Sequence, residues 1–226
     1  MLNIDKVMCL CLDRREKEWM RLKNECENIG LEFEPFIAGD GTHYHKHWYD
    51  QIDNPCPDIS GWGYGRDGFK HHHWNAFQCH KKMFQNAIDQ NLENVLILED
   101  DAYITSRFIP VWDTVKNNLP DDYGIIYLGW WIGDENDEWN LGAELQFQDQ
   151  GIVELEEAKQ IGGLHGALVH KRMFKFLMSL PPNNPIDYQL NLYHKQLPTY
   201  FLSPKIIHTK TMYSVCEGSV ITRNTL

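Results

Sequence analysis

The chain has 226 residues, enough for one large domain with a sizeable core. Hydrophobic residues make up 42% and charged residues 23%, the balance of a folded globular protein rather than a disordered or fibrous one. The 21 Lys and Arg stand against 32 Asp and Glu, a formal charge of −11, which argues against general binding to nucleic acid or an anionic membrane.

The first elements alternate. Val7 to Leu12 reads as an apolar strand closed by Asp13, and Arg14 to Asn28 as a helix with Trp19, Leu22 and Cys26 at helical spacing, stopped by Gly30. Leu31 to Ile37 is a second strand, running into the turn Ala38-Gly39-Asp40-Gly41. This is the opening of a βαβ fold. From about residue 42 to 68 the pattern breaks into a long loop rich in Gly, Pro, Asp and aromatics, and loops of that length are usually functional or disordered. Phe69 to Asp89 is a strong helix with Phe77, His80, Phe84 and Ile88 on one stripe.

That helix feeds Val95-Leu96-Ile97-Leu98-Glu99-Asp100-Asp101, an aliphatic run ending in three carboxylates. Such a run suits a central strand buried on both faces, and parallel α/β sheets bind ligands at the carboxyl ends of their strands. Three acids there repel one another unless a cation or proton compensates them. Oxygen ligands of this kind suit Mg²⁺ or Mn²⁺, with a phosphate as usual second partner. The same acids would also serve as a solvated turn leading into the next helix.

Further along, Phe108 to Asn117 reads as a helix, Tyr123 to Leu128 as a buried strand, and Asp134 to Trp139 as an acidic, aromatic loop. Ile152 to Leu155 and Leu164 to Val169 read as strands, Lys171 to Leu180 as a helix, and Pro185 to Lys195 as another with Asp187 in its first turn. Tyr200 to Leu202 and Ile206 to His208 close the fold. The expected architecture is an α/β, mostly parallel sheet flanked by helices, in a single domain over 1–226. Six cysteines without a C-x-x-C pair point to reduced thiols. No run approaches the ~18 apolar residues of a membrane span, and Met1 opens no charged-then-apolar leader. The expectation is a soluble protein of the cytoplasm, host cell or virion, or a domain of a longer chain.

The ordered set of motifs resembles glycosyltransferase family 25: Val7 to Asp13 with Arg14-Arg15, Ala38-Gly39-Asp40-Gly41, Cys79-His80, Leu98-Glu99-Asp100-Asp101, Tyr127-Leu128-Gly129, Gly163 to Val169, and Pro185-Ile186-Asp187 to Pro204. The likeness spans nearly the whole chain. It implies a GT-A (Rossmann-like) fold, a nucleotide-sugar donor (usually a UDP-sugar) and commonly Mn²⁺, or Mg²⁺ in its place. The implied reaction moves a hexose (galactose, glucose or N-acetylglucosamine) to a hydroxyl acceptor on a glycan or collagen-like protein.

Under that resemblance Glu99-Asp100-Asp101 is a variant DxD motif. Asp101 is the expected metal ligand, with Glu99 or Asp100 on ribose or metal-bound water, and His208 is a late metal ligand. Leu12, Asp13, Arg14, Asp40 and His80 belong to the donor pocket, with Cys79 where the family has a serine. Asp187 is a candidate base, with Asp134 and Glu135 as alternatives, since an inverting transfer needs a carboxylate to take the acceptor proton. Asp187 would equally well compensate its helix dipole. Trp130 and Trp131 would stack on a sugar or pack in the core. His43, His45, His47 and His71-His72-His73 read as polar surface, because adjacent helical histidines point in different directions. Two other functions compete: a metal-dependent phosphohydrolase with water as nucleophile, and a sugar-nucleotide or carbohydrate-binding module without catalysis. The intact acid cluster and the order of motifs favour the transferase.

Overall fold

The structure is a computed structural model that describes residues 3–38, 70–133, 139–140, 151–154, 160–193, 196–209, 212–214 and 219–221. The long loop expected at 42–68 lies outside these residues, as do Asp40, His43, His45, His47, Asp134 and Glu135.

Strand β1 (Lys6–Leu12) runs through a 3-10 turn (Asp13–Arg15) into helix α1 (Glu16–Asn28), then β2 (Phe33–Ala38). Helix α2 (Lys70–Asp89) leads to β3 (Asn94–Glu99), β4 (Ala102–Ile104), α3 (Phe108–Val115) and β5 (Ile125–Tyr127). The short strands β6 (Trp131–Gly133), β7 (Trp139–Asn140), β8 (Gly151–Glu154) and β9 (Gln160–Gly162) precede β10 (Ala167–His170). Helices α4 (Lys171–Ser179) and α5 (Ile186–Tyr193) lead to β11 (Thr199–Ser203), β12 (Ile207–Thr209), β13 (Met212–Ser214) and β14 (Ser219–Ile221).

Among the described residues the main sheet has seven strands in the order β2-β1-β3-β10-β5-β11-β8. Strands β2, β1, β3, β5 and β11 run one way, and β10 and β8 run against them. The expected mixed, mostly parallel sheet flanked by helices therefore forms. Its aliphatic strands alternate between two cores. On β1, Met8 and Leu10 face the layer of α2 and α4, whereas Val7, Cys9 and Cys11 face α1 and α3. On β3, Val95 and Ile97 take the first side and Leu96 and Leu98 the second. A strand covered on both faces needs apolar residues at every position, so these segments read as unbroken runs. Trp74, Phe77, Met83 and Phe84 of α2 fill one core, and Leu22, Cys26, Phe108 and Trp112 fill the other. Each large side chain so buried contributes roughly 1.5–3 kcal/mol. Cys9, Cys11, Cys26 and Cys79 are buried free thiols.

Two features go beyond the sequence expectation. The chain turns at Asp100-Asp101 and re-enters a strand at Ala102, so Glu99, Asp100 and Asp101 do not continue one extended strand. The new strand, β4, pairs antiparallel with β12 as a separate ribbon. A second small sheet, β7-β6-β9, stands beyond the end of β5. The β4–β12 and β6–β9 pairings join segments far apart in the chain, which local periodicity does not register.

Candidate functional site

Because β1, β3, β5 and β11 are parallel, their ends at Leu12, Glu99, Tyr127 and Ser203 share one edge of the sheet. The acid turn sits there. Glu99 is half-buried; Asp100 and Asp101 are buried. Asp100 uses both carboxylate oxygens within the protein. Oδ2 accepts the Leu12 N–H at 3.0 Å, and Oδ1 accepts from Arg15 Nη1 at 2.7 Å. Burial pushes this carboxyl up, the Arg15 guanidinium and the Leu12 N–H pull it back, and the charge of Asp101 adds to the rise. Asp100 thus ties the end of β3 to the end of β1.

Asp101 stands immediately before β4. In the β4–β12 ribbon Tyr103 lies opposite His208 and Ala102 opposite Thr209. The rings of Tyr103 and His208 pack at 5.5 Å. His208 is buried, and the ribbon carries it to the strand next to the one that Asp101 opens. Among the described residues no group of three or more His, Cys, Asp or Glu forms a metal cage. An ion shared with a nucleotide diphosphate needs no such cage. Mg²⁺ in particular is usually held by one or two carboxylates plus substrate phosphates and water. Asp101 and His208, with Glu99 at the strand end, fit an ion of that type.

The end of β5 is joined to the same ribbon. Leu128 O accepts from Ile206 N at 2.9 Å and Ile207 N at 3.1 Å, and Gly166 O accepts from Leu128 N at 2.7 Å. The approach requires glycine. A Cβ on Gly129 would lie 2.7 Å from Ile207 O, and one on Gly166 2.7 Å from Gly129 N. Gly163 adopts φ +85°, and its Cβ would meet His165 Nδ1 at 2.4 Å. The glycines of Tyr127-Leu128-Gly129 and Gly163 to Val169 thus have a packing reason.

His165 escaped the sequence reading. It is 1% exposed and packs against Trp131 with ring centroids 4.6 Å apart and the planes tilted by 33°. Its only sequence signal is a histidine enclosed by glycines in Gly162-Gly163-Leu164-His165-Gly166. The two tryptophans part company. Trp130 is core: its indole N–H donates to Leu202 O at 2.9 Å, it meets Phe201 edge-on, and Lys205 Nζ lies 5.4 Å from its ring centre. Trp131 is half-buried, so it retains surface for a ligand.

Asp187 sits in the first turn of α5. Its carboxylate accepts the Tyr188 N–H at 2.9 Å, and the N–H groups of Gly163 and of Asp187 itself bond to it too. Burial raises its pKa; these donors and the nearby charge of His73 offset part of the rise. Burial, and then the charge of Asp187, raises the Tyr127 hydroxyl. Asp187, His73 at the start of α2 and Tyr127 at the end of β5 therefore form one electrostatic group.

At the first strand end, Asp13 Oδ1 accepts the Arg14 N–H at 2.7 Å, and both residues are exposed beside half-buried Leu12. His80 lies two helical turns beyond His73 and is 4% exposed. Burial lowers its pKa to about 4 against a bond to the Ala76 backbone that favours the proton. Its imidazole is therefore neutral at pH 7.

A sequence profile described as "Glycosyltransferase family 25 (LPS biosynthesis protein)" matches residues 8–141. A protein of Drosophila pseudoobscura pseudoobscura, named as a glycosyltransferase 25 family member, is 24% identical over 185 residues, 71% of this chain. The chain spans 28% of that relative's length. In structure the chain is similar to a glycosyltransferase involved in glycosylation of the major capsid of PBCV-1. The TM-score is 0.50 and the identity 10%, over 93% of this chain and 95% of that one. The fold is accordingly of the GT-A type. No helix among the described residues is long and apolar enough to cross a membrane. With its acid turn, its parallel-sheet edge and a profile match over more than half its length, the chain belongs to glycosyltransferase family 25.

Proposed function

We propose that this domain is a metal-dependent glycosyltransferase that moves a hexose from a UDP-sugar to a hydroxyl group on a glycan or protein. The observation that carries the reading is the β4–β12 ribbon at the carboxyl edge of the sheet: buried Asp101 directly precedes β4, and buried His208 lies opposite Tyr103 on β12. Asp101 and His208, with Glu99 beside them, would hold Mn²⁺ or Mg²⁺ on the donor diphosphate. When bound, the ion neutralises charge on the departing nucleotide. Leu12, Asp13 and Arg14, at the neighbouring strand end, would face the nucleoside, with Asp40 and His80 as further donor-side residues.

The reaction forms a bond from the acceptor oxygen to the anomeric carbon and breaks the bond from that carbon to the diphosphate. The acceptor proton must go to a base. Asp187 is the described candidate, and Asp134 lies outside the described residues. Burial that raises the pKa of Asp187 strengthens it as a proton acceptor, while its backbone donors keep the carboxylate oriented. Trp131, braced by His165, would offer an aromatic face to a pyranose ring.

Calorimetric titration of UDP and a panel of UDP-sugars, with Mn²⁺ and again with EDTA, tests the reading. Manganese-dependent binding is the expected result, and the tightest sugar names the donor. Absence of binding under both conditions removes the donor assignment and turns attention to a carbohydrate-binding role.

A further inference from the structure

Among the described residues strand β4 has a strand neighbour on one edge only, β12. Along a strand, alternate residues turn their N–H and C=O to opposite edges. Tyr103 faces β12 opposite His208, and Thr105 N bonds to Ile206 O at 3.1 Å on the same side. Ala102 and Ile104 therefore turn their backbone groups outward, where an unpaired buried group would be unfavourable. Helix α1 occupies that edge. Arg21 Nη2 donates to Ala102 O at 2.7 Å, and Glu25 Oε2 accepts the Ile104 N–H at 3.2 Å. Arg21 and Glu25, one helical turn apart, are paired through Nη1 and Oε1. The ion pair thus stands where a further strand would be, offering one donor and one acceptor in β register. Leu22 and Cys26, each one position further along α1, are buried in the core and fix the helix against the sheet.

We propose that Arg21 and Glu25 are positioning residues for donor binding: by closing the open edge of β4 they set Asp101, immediately before that strand, relative to His208 across it. The inference rests on the reading of Asp101 and His208 as the groups that hold the metal–nucleotide complex. Two observations separate this role from plain stabilisation. The side chains of the pair are 27% and 31% exposed, so solvent screens part of their attraction and the ion pair itself adds modestly to stability. The opposite end of the acid turn is already fixed by the bonds of Asp100 to Leu12 and Arg15, so loss of the brace loosens the Asp101 end of the turn and leaves the β1–β3 junction tied. Metal coordination, by contrast, is steep in distance, and displacement of a reacting or binding group by about 1 Å can lower activity on the order of 100-fold.

The test uses the full chain with Arg21→Met, Glu25→Ala and Glu25→Gln. Three quantities are measured: UDP affinity in Mn²⁺ by calorimetry, KM and kcat for a UDP-sugar, and exchange of the Ile104 amide by mass spectrometry. Arg21→Met and Glu25→Ala are expected to fold with a modestly lowered Tm, to weaken UDP–Mn²⁺ binding by about tenfold or more, and to raise KM more than they lower kcat. The Ile104 amide should exchange faster in Glu25→Ala. Glu25→Gln keeps an oxygen for that amide and should recover part of the affinity, which a loss of bulk stability would not predict. Unchanged UDP affinity alongside faster Ile104 exchange would overturn the proposal, and so would unchanged Ile104 exchange. Should Arg21→Met or Glu25→Ala fail to fold, the brace is structural and the positioning role is rejected unless Glu25→Gln, still folded, shows the same KM effect. If the wild-type chain itself does not bind UDP with Mn²⁺, the donor reading fails first and this inference falls with it.

Discussion

Arg15 Nη1 donates to Asp100 Oδ1 at 2.7 Å, with the two side chains 17% and 5% exposed. Together with the Leu12 N–H, the pair fastens the carboxyl ends of β1 and β3 to each other. The middle acid of the motif is thereby committed to the architecture of the edge.

Arg15→Met should therefore act on stability. Removing one partner of a buried pair leaves an uncompensated charge and costs on the order of 3 kcal/mol at pH 7, readable as a lower urea midpoint. The loss has a defined pH dependence. Without Arg15 the folded-state pKa of Asp100, already above its ordinary 3.8, rises further. A raised carboxyl contributes stability below its unfolded value and loses it as pH rises through the folded value. The deficit of the variant should consequently shrink as pH falls toward 4. A deficit that grows with acid would contradict the assignment.

Asp101→Asn and Asp187→Asn should separate two roles. The first removes a charge from a site that requires compensation, so the variant should fold and melt no lower than wild type while losing manganese-dependent UDP binding. The second should retain UDP binding and lose turnover by on the order of 100-fold or more, the usual contribution of a general base. Full activity in Asp187→Asn moves the base elsewhere, with Asp134 next to be changed.

Gly129→Ala probes the junction between β5 and the ribbon. The new methyl would stand 2.7 Å from Ile207 O, a backbone atom with no rotamer to relieve it. Overpacking of this kind typically costs about 1–3 kcal/mol. Because Ile207 directly precedes His208, the displacement should also weaken UDP binding in Mn²⁺. A variant as stable as wild type, with wild-type UDP affinity, would remove the steric account of this glycine.

The buried imidazole of His80 predicts an acid-sensitive fold. Its folded pKa is lowered from 6.5 to about 4, so its contribution is present above 6.5 and is lost as pH falls through 4. A shift of that size corresponds to on the order of 3 kcal/mol. Unfolding free energy measured across this window should fall with acid, and His80→Leu should flatten the slope. An unchanged slope would assign the acid sensitivity to other groups.

Much of the sheet was legible because β1 and β3 carry their burial in their composition. Residues covered on both faces are apolar at every position, and that pattern survives without tertiary context. The same holds for the helices: Phe77 and Phe84 of α2 mark its buried stripe. The pair Trp130 and Trp131 could not be divided in this way. Adjacent indoles look alike in sequence; only the bond of Trp130 to Leu202 O and the half-burial of Trp131 against His165 make the first core and the second a partly open surface. Nor could His73 be distinguished from its neighbours. It is buried near Asp187 because the start of α2 meets the start of α5.

By itself the sequence determined the α/β class, the acid-ended strand and the order of motifs that marks the family, since these follow from local periodicity and residue type. Tertiary structure alone decided where each of the three acids is placed. Asp100 turns to Arg15 and Leu12, while Asp101 opens β4 and comes within one ribbon of His208. Hydrogen-bond partners so distant in the chain are selected by packing of whole elements, and no local pattern of side chains encodes which of three adjacent carboxylates will meet Arg15 and the Leu12 N–H.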